Sequence, residues 1–192
     1  MKTKYIDLIN QNFIFPQKEF NLNKDQLLFH GVNLMELVEE YGSPLKYTYL
    51  PKISENINKT KKWFENAIEK HQYKGKYNYC YCTKSSHFKY VLDEALKNEI
   101  YLETSSAFDI NIIEKLKSEG KLDKNDYIIC NGFKDEAYIT NIARLINNGH
   151  LNCLPIIDNS EEINLLENKV TSKVKIGIRI ATEEQLNSHL YK

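Results

Sequence analysis

The sequence of 192 residues lacks the features that mark the commonest nucleotide-binding and membrane proteins. It contains neither a G-x-G-x-x-G turn nor a P-loop, the two glycine-rich loops that bind phosphates in many α/β folds. No apolar run approaches the ~20 residues of a membrane span. The start MKTKYIDLINQN has no apolar signal-peptide core, so we expect a cytoplasmic protein without membrane contact. Equal numbers of basic and acidic residues, 26 of each, give no indication of nucleic-acid binding.

Arginine and cysteine are also scarce. Arg144 and Arg179 are the only arginines in the sequence. The four cysteines each lie in an apolar, strand-like run: Cys80, Cys82, Cys130 and Cys153. The Cys-x-Cys spacing of the first two differs from that of zinc knuckles, and no Cys/His pair follows at ligand spacing. Buried free thiols are therefore favoured over a metal site or a disulfide, and no metal is expected.

Strand-like and helix-like segments alternate from about residue 44 onward. The predicted strands are 44–50, 77–83, 100–103, 126–130, 151–157 and 174–180, and the predicted helices are 54–70, 88–97, 107–118, 136–147 and 161–169. This alternation predicts a parallel sheet covered by helices, built either as an open doubly wound sheet or as a (β/α)8 barrel. Because no glycine-rich turn follows the first strand, the barrel is favoured.

The predicted fold class is therefore α/β, a partial (β/α)8 TIM barrel with about five to six of its eight βα units. We predict two domains, residues 1–43 as an N-terminal lead-in that belongs to a second β-domain and residues 44–192 as the incomplete barrel. In the lead-in, FIFP and QLLFHG predict short strands, and Asn33 predicts the N-cap of a helix ending at Gly42. An incomplete barrel exposes sheet edges, so this segment expressed alone is expected to aggregate.

Polar side chains follow the carboxyl ends of the predicted strands, the edge at which barrels carry their active sites. Within the run KYNYCYCTKSSH, Lys84 directly follows the predicted strand 77–83. Strand alternation places it on the same face as Cys80 and Cys82. Desolvation there would favour a neutral, nucleophilic amine suited to imine formation. The alternative is a lysine that extends its ammonium from a strand end into solvent. His87 likewise suggests either an acid/base residue or a residue of a helix-capping region.

Several ordered motifs resemble one known family. LLFHGVNLMELVEEYGSPLKYTYL is similar to its first segment, YCTKSS to Y-x-x-K-x-N, LETSSAFDI to acidic-x-x-S-x-x-E, and KIGIRIATEE to a strand carrying an active-site arginine. The family is that of the fold-type III pyridoxal-phosphate (PLP) enzymes, the alanine-racemase-like barrel decarboxylases of ornithine, arginine and diaminopimelate. IICNGFKDEAYI is similar to the N-G-Y-K-D stretch of the biosynthetic arginine decarboxylases within it.

The resemblance implies roles for five residues. Lys84 would be the Schiff-base lysine, both catalytic and cofactor-binding; Glu103 and Asp109 would be catalytic carboxylates that orient it or its neighbours; Ser106 and Arg179 would bind the cofactor. Two positions depart from the family pattern. Ser86 stands where the family has asparagine, and Asp109 stands where the family has a glutamate, which is one methylene longer.

The implied function is PLP-dependent decarboxylation of a basic amino acid. The NGFKD stretch favours L-arginine, converted to agmatine in polyamine biosynthesis, with this chain as a truncated and inactive fragment. The resemblance also implies that the full-length protein is a homodimer with shared active sites. The alternatives are a diaminopimelate decarboxylase, a non-catalytic PLP-barrel relative with a binding or regulatory role, and an unrelated open-sheet protein that binds a phosphorylated ligand.

Overall fold

The computed structural model describes residues 19–24 and 26–180. The chain divides into two compact units, Met1–Thr48 and Tyr49–Lys192. The predicted FIFP strand lies outside the described residues. The predicted division of the chain into an N-terminal lead-in, residues 1–43, and a barrel domain, residues 44–192, stays a prediction.

Among its described residues, the first unit forms three short antiparallel strands and one helix. These are β1 (Phe20–Asn23), β2 (Gln26–Phe29), β3 (Val32–Asn33) and α1 (Leu34–Tyr41). Asn33 caps α1 as predicted, because its Oδ1 accepts hydrogen bonds from the backbone N–H groups of Met35 at 3.0 Å and Glu36 at 3.4 Å. Gly42 ends the helix at a φ of 84°, a left-handed conformation that glycine adopts without strain.

The second unit alternates helices with the strands of one parallel sheet. Its helices are α2 (Pro51–Lys70), α3 (Lys89–Leu96), α4 (Ala107–Ser118), α5 (Glu136–Asn147) and α6 (Ser160–Glu167). Its strands are β4 (Cys80–Cys82), β5 (Tyr101–Thr104), β6 (Ile128–Cys130), β7 (Cys153–Ile157) and β8 (Gly177–Ile178). The strands pair in the order β4-β5-β6-β7-β8, so each strand is the neighbour of the next along the chain. Sequential order is typical of a barrel, whereas a doubly wound sheet reverses its order at a switch point.

One predicted strand is wrong. Residues 44–50 form no strand among the described residues, and β4 is the first strand of the parallel sheet. Their aromatic and β-branched residues favour an extended backbone, but a strand also requires a neighbour with which to pair. Helix α2 then begins at Pro51, three residues earlier than predicted, with proline in the first turn where its missing N–H has no cost.

The core lies between one face of the parallel sheet and its helices. Alternate strand residues point toward the helices and are buried, such as Leu102, Ile128 and Cys153, each 2% exposed or less. Helix α5 contributes Ile139 and Ile142, which are fully buried in the same cluster. Full burial of one such aliphatic side chain contributes about 1.5–3 kcal/mol. The residues between them on the strands, such as Glu103 and Ile129, point to the opposite face and are only half-buried.

All four cysteines are free thiols. Cys130 and Cys153 are buried, whereas Cys80 and Cys82 are half-buried. In the described part of the chain, no group of three or more His, Cys, Asp or Glu side chains is arranged to hold a metal ion. No helix formed by these residues is long and apolar enough to span a membrane.

Candidate active site

The predicted site residues lie at the carboxyl edge of the parallel sheet. The parallel pairing of Cys82 with Glu103, Thr104 with Cys130, Cys130 with Pro155, and Ile157 with Ile178 brings the carboxyl ends of the five strands to the same edge of the sheet. Lys84 follows β4 and Arg179 follows β8. These are the outer strands of the sheet, so four strand spacings, or about 19 Å measured along the sheet, separate the two residues.

Thr83 fixes the backbone next to Lys84. Its N–H donates to the carbonyl oxygen of Glu103 at 2.9 Å, and its Oγ1 donates to the same oxygen at 3.1 Å. Thr83 itself is fully buried. The chain then turns, with the N–H of Ser85 donating to the carbonyl oxygen of Cys82 at 3.1 Å. Lys84 is therefore anchored by its neighbours to the end of β5.

The Lys84 side chain is exposed. Within the described residues its ammonium has no ion pair or hydrogen bond. The desolvation that we expected is therefore not provided by this part of the chain, because the described residues cover only the helix side of the sheet. An unpaired amine at a strand end is nevertheless chemically available for covalent attachment to a carbonyl compound.

The Glu103 side chain is hydrogen-bonded by one other side chain in the described part of the chain. Nδ2 of Asn131, the residue that follows β6, donates to Oε1 of Glu103 at 3.3 Å. Asn131 Oδ1 in turn accepts from the N–H of Gly132 at 2.9 Å, so both ends of the amide are used. Glu103 also acts on the half-buried thiol on its own face of the sheet: burial first, and then the negative charge of Glu103, raise the pKa of Cys80. Asn131 thus holds the predicted catalytic carboxylate in place.

Ser106 and Asp109 form the N-terminal cap of α4. Ser106 Oγ accepts from the N–H of Asp109 at 3.4 Å, while Oδ2 of Asp109 accepts from the N–H and Oγ of Ser105 at 2.9 and 3.3 Å. Asp109 is 4% exposed. Reciprocal bonds of this kind satisfy backbone donors at a helix start. The structure therefore engages both side chains in a helix cap at the site edge; their roles toward a cofactor stay predictions.

Arg179 lies close to Asp158, the residue that follows β7. The Arg179 N–H continues the β7–β8 ladder by donating to the carbonyl oxygen of Ile157 at 2.9 Å. Its Nη1 is 3.7 Å from Oδ1 of Asp158, a charge contact too long for a hydrogen bond. This Oδ1 is buried and has no hydrogen-bond partner within the described residues. Since the Arg179 side chain is 64% exposed, its guanidinium is free to contact an anion from solvent.

A buried ion pair lies behind this edge, and sequence reasoning missed it. Lys134 belongs to the NGFKD stretch that follows β6, and its side chain is fully buried, with Nζ 3.2 Å from Oε2 of Glu162. Glu162 lies in the first turn of α6, where the Asn159 side chain accepts from its N–H at 3.1 Å. The sequence shows only that Lys134 directly precedes the N-cap of α5 and that Glu162 is the third residue of α6, and neither position indicates pairing.

The described contacts join some predicted residues and not others. They link the Thr83–Lys84 backbone to Glu103, join Ser106 to Asp109, and bring Arg179 near Asp158. No hydrogen bond or ion pair among the described residues connects the side chains of Lys84, Glu103 and Arg179 with one another. His87 is exposed just before α3, with its ring 5.7 Å from that of Phe108.

The proteins to which this chain is similar agree with the resemblance inferred from its motifs. No family profile matches the chain. The chain is 27% identical over 185 residues to a biosynthetic arginine decarboxylase of Prochlorococcus marinus (strain MIT 9215), covering 92% of this chain and 27% of that protein. It is 26% identical over 161 residues to the biosynthetic arginine decarboxylase of Bacteroides thetaiotaomicron, covering 78% of this chain and 25% of that protein. The chain thus spans about a quarter of the length of these curated relatives.

A solved structure shares the fold. The crystal structure of the biosynthetic arginine decarboxylase SpeA from Campylobacter jejuni matches with a TM-score of 0.57 at 20% identity, covering 88% of this chain and 30% of that chain. The chain is arginine-decarboxylase-like in sequence and fold. The predicted α/β class and partial barrel are confirmed. The five parallel strands of this chain make up part of a (β/α)8 barrel.

The residues present fit the cofactor that the resemblance implies. Lys84 offers an exposed amine without an ion-pair partner among the described residues, which is the group that attaches to an aldehyde. Arg179 offers an exposed guanidinium for a negatively charged group. Glu103 offers a carboxylate held in place by Asn131. All three lie at the edge of the sheet where barrels build their active sites.

Proposed function

We propose that the protein containing this chain is a PLP-dependent amino-acid decarboxylase that converts L-arginine to agmatine. The observation that carries the proposal is the position of Lys84, directly after the Thr83–Glu103 contact at the carboxyl edge of a parallel sheet. The similarity to proteins named arginine decarboxylase supports the choice of substrate. We further propose that the protein is a cytoplasmic homodimer with shared active sites that acts in polyamine biosynthesis.

The roles of this chain's residues follow from their contacts. Lys84 Nζ would form the covalent link to the cofactor and, once released from it, accept or donate a proton. Glu103, oriented by Asn131, would place negative charge beside Lys84. Arg179 would contribute positive charge from the end of β8, the outer strand opposite β4. When bound, pyridoxal phosphate supplies an electron sink for the electron pair left when the substrate carboxylate departs as carbon dioxide.

The substrate is tested by product analysis. The intact protein, purified with pyridoxal phosphate, is incubated separately with L-arginine and with meso-diaminopimelate, and the released carbon dioxide and the amine product are measured. We expect agmatine from arginine at a rate at least tenfold above lysine from diaminopimelate. A preference for diaminopimelate would replace the proposed substrate within the same reaction class. Cofactor binding without release of carbon dioxide from either amino acid would make the protein a binding or regulatory relative.

A further inference from the structure

The buried pair Lys134–Glu162 has more contacts than a stabilising ion pair requires. The exposed fractions of the two side chains are 0% and 2%, and both charges are therefore removed from water. Well-packed apolar side chains of similar volume often stabilise a core as well as a buried ion pair, because the cost of desolvating two charges offsets their attraction. What the pair holds in place is consequently more informative than its contribution to stability.

Lys134 fastens the loop after β6. Its Nζ donates to the carbonyl oxygen of Gly132 at 2.7 Å and also to the carbonyl oxygen of Ile156 in β7. Gly132 follows Asn131, the residue that donates to Glu103. Gly132 has a φ of +81°, and a β-carbon there would lie 3.5 Å from the carbonyl oxygen of Ser105, so this turn packs closely on the loop after β5. The Lys134 ammonium thereby fixes the turn that presents Asn131 to Glu103.

Glu162 fastens the loop after β7. Its Oε1 accepts from the N–H of Lys134 at 2.9 Å, and its Oε2 accepts from the N–H of Asp158 at 3.0 Å. Asp158 is the residue whose carboxylate lies 3.7 Å from the Arg179 guanidinium. One carboxylate therefore bonds to the backbone of both loops, in addition to its ion pair with the Lys134 ammonium.

We propose that Lys134 and Glu162 are positioning residues of the candidate active site. The pair couples two contacts that lie on either side of it, Asn131 with Glu103 and Asp158 with Arg179. Neither side chain is exposed toward a substrate, so their effect is transmitted through the two loops. This inference rests on the proposed function for what the oriented side chains act upon.

The test replaces both charges at once. Lys134→Met with Glu162→Leu removes the pair without leaving a single buried charge, so the barrel has an apolar substitute. The matched control is Lys169→Met with Glu136→Leu, which removes the partly exposed ion pair, at 3.3 Å, between Glu136 of α5 and Lys169, which follows α6. Each variant is made in the intact protein. One sample is crystallised without cofactor, and a second sample is titrated with pyridoxal phosphate. Should the double variant fail to fold, Glu162→Gln is measured instead, since it keeps the side-chain volume and places an amide near the Asp158 N–H.

The expected result has two parts. In the cofactor-free crystal structure of the Lys134/Glu162 variant, the Asn131–Glu103 hydrogen bond and the Asp158–Arg179 contact are both broken. Its dissociation constant for pyridoxal phosphate rises at least tenfold, whereas that of the Lys169/Glu136 control stays within twofold of the parent. Retention of both contacts, with an unchanged dissociation constant, would overturn the positioning role. If the parent itself binds no pyridoxal phosphate, the proposed function fails, and the crystal structure of the variant alone decides the positioning role.

Discussion

Thr83 donates both its backbone N–H and its hydroxyl to one carbonyl oxygen, that of Glu103, at 2.9 and 3.1 Å. This double contact joins the ends of β4 and β5 at the point where the lysine-bearing turn begins. Because Thr83 is fully buried, its hydroxyl has no water with which to exchange this bond. The geometry of Lys84 relative to Glu103 thus depends on a residue with no chemistry of its own.

Replacement of Thr83 by valine tests this anchor. Valine keeps the shape of threonine but removes the hydroxyl donor, so we expect the free energy of unfolding to fall by about 1–2 kcal/mol. Thermal melting of the intact protein measures the change. Thr140→Val is the control, because Thr140 Oγ1 makes the same type of bond to a carbonyl oxygen, at 2.7 Å, on an exposed helix surface. A larger loss for Thr140→Val than for Thr83→Val would contradict the account.

Replacement of Asn131 by aspartate tests the contact with Glu103. Aspartate keeps the oxygen that accepts from the Gly132 N–H, but it places a second carboxylate oxygen where Asn131 now donates to Glu103. Two adjacent carboxylates repel until one of them binds a proton. We therefore expect the Asn131→Asp variant to melt lower than the parent at pH 8, and we expect this difference from the parent to shrink as the pH falls to 5.5. Asn131→Ala, which lacks the new charge, should lose the same stability at both pH values.

His150 predicts acid sensitivity. Its ring is 2% exposed, Nε2 lies 2.8 Å from the carbonyl oxygen of Asp126, and Nδ1 has no partner among the described residues. Burial lowers the pKa of His150, and its bond to Asp126 opposes this only in part. The folded state therefore binds the proton more weakly than the unfolded state. Stability is complete above the unfolded pKa of about 6.5 and falls as the pH drops below it.

The His150→Gln variant checks this effect. Glutamine keeps a donor for the Asp126 carbonyl but does not titrate. We expect the melting temperature of the variant to change less than that of the parent between pH 7.5 and 5.5. His71→Gln is the control, because it makes the same substitution at an exposed residue at the end of α2. Parallel curves for His150→Gln and the parent would refute the assignment.

The thiols of Cys130 and Cys153 are expected to be unreactive in the folded protein. They are 0% and 2% exposed, and their sulfur atoms are 3.6 Å apart. The hydrogen bond with Cys130, together with burial, raises the pKa of Cys153, so the thiolate of Cys153 is scarce at neutral pH, while complete burial shields Cys130 from reagents. Brief alkylation followed by peptide mass analysis should modify neither residue until denaturant is added. Rapid modification of Cys153 in the native protein would show that this core opens.

The sequence predicted the helices of the second unit better than its strands. Both α4 and α5 have the predicted bounds, because each begins at a side chain that caps it, Ser106 or Asp135, and continues with periodic apolar residues. Strand β8 is two residues long where seven were predicted. The extent of a strand depends on the neighbour with which it pairs, and pairing is not encoded in a local pattern.

The candidate site was also predictable only in part. The sequence predicts Lys84, Glu103 and Arg179 at the carboxyl edge of the sheet, because each lies within the last two residues of a predicted strand or directly after one. The pair Lys134–Glu162 was not predictable, since its members are 28 residues apart and meet only through the β6–β7 pairing. The desolvation of Lys84 that the sequence predicted is not found among the described residues. A strand pattern does not show what covers the other face of a sheet.

The central claim is that Lys84 forms the covalent link to the cofactor. The intact protein is loaded with pyridoxal phosphate, reduced with borohydride and digested, and the modified lysine is identified by peptide mass. We predict a visible absorbance band that borohydride removes, with the label on the peptide containing Lys84. The band should be lost in Lys84→Ala and retained in Lys76→Ala, an exposed lysine that precedes the same strand. Label on another lysine, or an unchanged band in Lys84→Ala, would contradict the account.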